Sequence, residues 1–205
     1  MVVANLVASS IALVARSAEL HTILCSSKIT DASGAPLDTE VSIAQVLEWL
    51  RDLRGRGGSL YLVGNGGSAA VAGHAVTDFV NVARLRATTL HDSSLITCMA
   101  NDYGYENAFS RILSTFAGHG DILIAISSSG NSQNIRNAAI KIRELGGSVI
   151  TLSGFASDNP LRSLGDLNIW LDTRDYGMAE IGHQFILHNV ADRLRLESEK
   201  NNVKQ

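Results

Sequence analysis

In the run GNGGSAAVAGHAVTDF, residues 64–79, His74 and Asp78 stand four residues apart. On a helix that spacing puts both groups on one face, about 6 Å apart along the axis. A second stripe repeats the interval: Glu180, Gln184 and His188 in YGMAEIGHQFILHNVADRL, with His183 pointing elsewhere. Imidazole titrates near neutral pH, and beside a carboxylate it can move protons or hold a divalent cation. A lone helical histidine is more often structural, however, and a polar stripe often faces solvent or a neighbouring subunit. What precedes the helices decides between chemistry and packing.

The first histidine helix follows VGNGGSAA. Glycines let the backbone bend sharply and approach a ligand, while the helix start offers unpaired N–H groups and the positive end of its dipole. Gly64, Gly66 and Ala69 also match the relaxed dinucleotide fingerprint GxGxxA, which is weak evidence by itself. A second loop breaks the tie. DILIAISSSGNSQNIRNAA places Ser127, Ser128, Ser129 and Ser132 between a strand and a helix. Hydroxyls and helix N-terminal amides suit the three oxygens of a terminal phosphate, with no basic residue required. A dinucleotide fold has no need of this second cluster, so no nucleotide cofactor is expected.

The elements that must position these groups follow from an alternation. Short apolar runs SLYLV, ATTL, DILIAI, SVITL and LNIWLD are separated by stretches long enough for helices, which predicts a parallel sheet with crossover helices. The helices are expected at roughly 67–82, 104–118, 132–146 and 179–198. Before the first strand, KITDASGAPLDTE reads as a polar connection, and VSIAQVLEWLRDLRGRGG repeats apolar positions at helical spacing and stops at glycines. The expected fold is α/β: a three-layer α/β/α sandwich with a five-stranded parallel sheet and an N-terminal helical extension. One domain spans 1–205, with N-terminal helices over 1–57 and the core and last helix over 58–198. Ligands then sit at the carboxyl ends of the strands.

Composition agrees with a compact enzyme-sized domain. Of 205 residues, 45% are apolar and only 18% charged, which argues against disorder over most of the length. A net charge of −3 without a Lys/Arg run offers no electrostatic drive toward nucleic acid. Cys25 and Cys98 are isolated thiols with no metal-finger spacing, read as reduced in a cytoplasmic setting. The opening MVVANLVASSIALVARSAEL lacks a basic start and is too short to span a bilayer. Its apolar residues at 3, 6, 7, 13, 14 and 20 fit an amphipathic helix packing on its own domain or a neighbouring subunit.

GNGGSAAVAGHAVTDF, SLITCMANDYGYENAFSRIL and DILIAISSSGNSQNIRNAAIKIRELGGSVITLSG together resemble the sugar isomerase (SIS) domain family, and within it the phosphoheptose isomerases. The resemblance covers nearly the whole chain and implies interconversion of sedoheptulose 7-phosphate and D-glycero-D-manno-heptose 7-phosphate through an enediol or enediolate. It also implies that His74, Asp78, Glu180 and His188 line the active site and form a set able to hold one zinc ion per site. Homotetramers with sites at subunit interfaces are the family pattern. Within that frame Asp78 is the candidate base and His188 the proton shuttle to oxygen. Gly66, Ser68, Ser127, Ser128, Ser129 and Ser132 would anchor the phosphate, with Glu180 beside them. Asn65, Asp92, Asn101 and Asp102, placed on strand-end loops, are candidates for sugar hydroxyls, although Asn and Asp are also common turn formers.

Two positions depart from the family pattern. Asp78 aligns with a glutamate, so the carboxylate here is one methylene shorter, and Glu180 aligns with a glutamine, which adds a charge. Residues eight apart on a helix are about 12 Å apart along its axis, so Glu180 and His188 can share one metal only if Glu180 precedes the regular helix. Two rivals remain: an isomerase of another phosphosugar, and a non-catalytic adaptor or sensor of the same fold. His188 and Asp78 favour the enzyme.

Overall fold

The computed structural model describes residues 12–202, with side chains as far as Glu197. The apolar positions 3, 6 and 7 lie outside the described residues. Leu13, Val14 and Leu20 fall on helix α1 (Leu13–Cys25). Leu20 packs beside Ile23, Leu171 and Met178, whereas Leu13 and Val14 are exposed.

KITDASGAPLDTE is not a plain connection. Strands β1 (Lys28–Asp31) and β2 (Pro36–Leu37) form an antiparallel hairpin there. The Asp31 carboxylate accepts the Ser33 and Ala35 amides at 2.8 and 3.0 Å, and Gly34 turns the chain at φ +83°. β1 then pairs antiparallel with β7 (Leu167–Trp170) and buries Ile29 and Thr30. The sheet therefore has seven strands rather than five, in the order β2-β1-β7-β6-β5-β3-β4. A four-residue strand with one strongly apolar side chain carries almost no periodic signal; β1 exists because it pairs the edge that β7 would otherwise leave open.

The five expected strands are all present and mutually parallel: β3 (Ser59–Val63), β4 (Arg86–Thr89), β5 (Ile122–Ser127), β6 (Ser148–Ser153) and β7. Their residues alternate between two cores, as a sheet covered on both faces requires. Leu60, Leu62, Ile122, Ile124 and Ile126 pack under α2 (Thr39–Gly55), α3 (Gly67–Asn81) and α7 (Tyr176–Asn202). Tyr61, Val63, Leu123 and Ala125 pack against α5 (Ala108–Phe116) and α6 (Gln133–Glu144). The three-layer α/β/α arrangement is thus as expected. Among the described residues no helix is long and apolar enough to cross a membrane.

The helix expected at 104–118 is present as α5, and a further helix precedes it. α4 (Ser93–Tyr103) precedes α5, with a 3-10 turn at Tyr105–Asn107 between them. Asp92 starts α4 by accepting the Leu95 amide at 2.8 Å, and Gly104 ends it at φ +81°. Asn101 and Asp102 therefore lie in the last turn of α4, not on a strand-end loop.

Candidate active site

β3 and β5 are adjacent and parallel, with the chain leaving them toward opposite edges of the sheet. The loops after both strands open at this switch point, side by side. The first is the glycine loop into α3. Gly66 caps the helix at φ +54°, a conformation that suits glycine. Gly64 is held by space: a Cβ there would lie 2.5 Å from the Ser68 carbonyl carbon and oxygen. Its amide donates to Nε2 of His91 at 3.4 Å, and burial holds that imidazole below its ordinary pKa, in the neutral form an acceptor needs.

The second loop runs from Ser127 to Ser132. Ser127 and Ser128 are buried, and the Ser127 and Ser132 hydroxyls lie 3.3 Å apart. The Ser128 hydroxyl is buried without a hydrogen-bond partner. A buried orphan hydroxyl is costly unless a ligand completes it. Together the loops line a cavity of about 360 Å³ that includes Asn65, Gly66, Ser68, Ser127, Ser128, Ser129, Ser132, Tyr176 and Glu180. The anion donors read from the sequence are thereby brought to one place.

A reciprocal amide pair ties the loops together. Asn65 Nδ2 donates to Asn134 Oδ1 and Asn134 Nδ2 to Asn65 Oδ1, both at 2.9 Å, while the Tyr105 hydroxyl donates to Asn65 Oδ1 at 2.8 Å. The side chain expected to bind a sugar hydroxyl is thus committed to protein partners. Asp92 is committed as a helix cap, and Asn101 donates to Asp102 at 2.9 Å on an exposed turn that does not line the cavity. Sequence reasoning missed Tyr176, Asn134, Tyr105 and His91. Each acts through a long-range partner, so no local spacing marks it.

α3 and α7 lie side by side on one face of the sheet. The Glu180 carboxylate rests against Gly67, where a Cβ would lie 2.3 Å from it, and His188 meets Asp78 further along, so the two helices run parallel. Asp78 collects both imidazoles on one oxygen. His188 Nδ1 is 2.8 Å and His74 Nε2 3.4 Å from Asp78 Oδ2, and the two rings are 6.0 Å apart. The hydrogen bond to Asp78 first, then the charges of Asp78 and Asp192, raise the His188 pKa above its ordinary value against the opposing effect of burial. Asp78 is half-buried, and the histidines are open to solvent.

One ligand atom from each of His74, Asp78 and His188 lies within 4.8 Å of the others. Two imidazole nitrogens and a carboxylate are a zinc-type donor set with room for a further ligand. Glu180 is not part of this group. It sits on the regular part of α7, two turns before His188 and about 12 Å away along the axis, at the serine-lined cavity. His183 points the other way: it is fully buried, with Nε2 3.1 Å from the Ser153 carbonyl.

Known proteins similar to this chain are numerous. The SIS domain family matches residues 37–154. The phosphoheptose isomerase of Geotalea daltonii is 35% identical over 173 residues, 82% of this chain and 88% of its own. Among solved structures, the phosphoheptose isomerase of Neisseria gonorrhoeae superposes with a TM-score of 0.76 at 26% identity, covering 89% of this chain and 97% of its own. That of Francisella tularensis gives 0.70 at 28%, covering 75% and 84%. On its matched core and its two phosphate-type loops, the chain belongs to the SIS domain family and resembles the phosphoheptose isomerases within it.

Proposed function

We propose that this protein is an aldose–ketose isomerase that converts sedoheptulose 7-phosphate to D-glycero-D-manno-heptose 7-phosphate. The observation that carries this reading is α3 itself, which starts in the serine-lined cavity and carries His74 and Asp78 beyond it. Gly67 and His74 are separated by about 10 Å at 1.5 Å per residue, the scale of an extended phosphosugar. Phosphate at the loops would therefore leave the carbonyl end at the histidine–aspartate cluster.

Ser68, Ser127, Ser128, Ser129 and Ser132 anchor the phosphate and fix the reacting carbons. Both imidazole contacts fall on Asp78 Oδ2, so neither occupies Oδ1. Asp78 takes a proton from C1 of the ketose, and the C–H electron pair becomes the C1–C2 double bond of the enediol. His188 gives a proton to the carbonyl oxygen at C2. In the second half the proton on O1 is removed, the C1 carbonyl forms, and C2 is protonated. His74, Asp78 and His188 are also the residues that would hold zinc; with its lone pair on an ion His188 has no proton to give, so the ion would take the place of that proton donation. When bound, a divalent ion would supply positive charge where oxyanions develop.

The working unit we infer is a homotetramer of whole chains in the cytoplasm. Exposed Leu13 and Val14 on α1 and Ile181 and Phe185 on α7 support the assembly, because a free monomer would leave them in water. Two exposed free thiols, Cys25 and Cys98, suit a reducing compartment.

Purified, metal-assayed protein is expected to turn over sedoheptulose 7-phosphate and to elute with the mass of four chains by light scattering. Asp78→Asn and His188→Ala are each expected to lower kcat at least about 100-fold, the scale of general acid–base catalysis. No turnover with any divalent metal, together with stabilisation by phosphosugars, would identify a binding protein instead.

A further inference from the structure

His188 has two ring nitrogens, and only one faces the cluster. Nδ1 meets Asp78, while Nε2 is turned along α7 toward Asp192, one helical turn on, at 3.7 Å from Oδ2. The other oxygen of Asp192 is 3.7 Å from Nε of Arg195, so the carboxylate lies between the imidazole and the guanidinium. The chain of contacts is thus Asp78, His188, Asp192, Arg195. A metal-binding imidazole commonly donates its second N–H to a carboxylate, which sets the tautomer and the ring plane and strengthens the ligand.

We propose that Asp192 is the positioning residue for His188: from its ion-pair position 3.7 Å away it draws the Nε2–H to its side, so that the Nδ1 lone pair is the one presented to a divalent ion shared with His74 and Asp78. This rests on reading that cluster as a metal site. The proposal assigns the ligating nitrogen of His188 as Nδ1 and gives a purpose to a carboxylate that otherwise only decorates an exposed helix. It extends the machinery one turn past the stripe formed by Glu180, Gln184 and His188.

The test is zinc affinity of the full-length protein, measured by competition with a chromophoric chelator, for the wild type and for Asp192→Ala, Asp192→Asn and Asp192→Glu. Removal of the acceptor is expected to weaken zinc binding by about 10- to 100-fold in Asp192→Ala. Asp192→Asn keeps an acceptor oxygen but no charge, and is expected to recover much of that loss. Asp192→Glu is expected to bind within a few fold of the wild type. The melting temperature of the metal-free protein should not change among them.

Equal affinities for the alanine and asparagine variants would show a charge effect without positioning and would overturn the proposal. So would affinities within twofold of the wild type throughout. If the wild type itself takes up no zinc, cobalt or manganese, the metal reading of the cluster is what fails, and the assignment of Asp192 falls with it.

Discussion

Asp78 and Glu180 are both carboxylates facing the same two helices, yet their surroundings assign them different work. Asp78 is half-buried between two imidazoles, whereas Glu180 lies in the serine-lined cavity against the first turn of α3. A negative charge there occupies the end of the helix dipole that would otherwise favour phosphate. It also repels a phosphate dianion by an amount on the order of 1 kcal/mol per charge at the effective dielectric of a partly open site. Glu180→Gln is therefore expected to bind inorganic phosphate about tenfold more tightly, read as inhibition of turnover. Weaker binding in that variant would mean that Glu180 contributes to ligand binding instead, as an acceptor for a sugar hydroxyl. The charge at this position could be read from the sequence. Its neighbourhood could not, because Gly67 is 113 positions away in the chain by the numbering of the two residues.

At the scale of elements, one helix does two jobs. α3 starts at the serine-lined cavity and carries His74 and Asp78 on its next turns, so in the proposed reaction any shift of its first turn would move the phosphate relative to Asp78. Gly64 controls that turn. A methyl group at Gly64 would meet backbone atoms of Ser68 and Ala69 at 2.5 to 2.9 Å, which cannot swing aside as a side chain can. Gly64→Ala is expected to cost about 1–3 kcal/mol of stability by overpacking and to raise KM. Gly73, on the same helix, has open space around its missing Cβ, and Gly73→Ala is expected to stabilise by roughly 0.5–1 kcal/mol. Urea unfolding of the two variants beside steady-state kinetics separates the cases; equal effects would refute the assignment of Gly64 to the loop. The amide pair between Asn65 and Asn134 works at the same scale, since it holds the loop after β3 to the helix after β5.

For the molecule as a whole, the most consequential buried ionisable group lies outside the site. His183 is fully buried between α7 and β6, and desolvation depresses its pKa to about 4, only partly offset by the Ser153 carbonyl. An unfolded chain protonates this histidine near 6.5, its ordinary value, so the folded form refuses a proton that the unfolded form accepts. Above pH 6.5 the group adds no pH dependence. Stability is lost as pH falls from 6.5 toward 4, by about 3 kcal/mol at the lower end. His183→Gln should flatten that part of the profile in denaturant melts at pH 7 and pH 4.5. An unchanged slope would place the acid sensitivity in the carboxylates.

Much of this protein was legible in local spacing. The five parallel strands, the glycine and serine loops and the two histidine stripes are written in stretches of fewer than twenty residues, because helix and strand periods and loop chemistry act over that range. Three things were decided only by tertiary contact. The hairpin of β1 and β2 forms because β7 leaves an edge to be paired, which no window around residues 28–37 contains. Asn65 was spent on Asn134 and Tyr105 rather than kept for a ligand. The roughly 12 Å between Glu180 and His188 follows from their spacing on one helix, but that Glu180 meets Gly67 and the serine-lined cavity while His188 meets Asp78 does not. A side chain's type and interval are local properties; which partner claims its hydrogen bonds depends on how the layers close on one another.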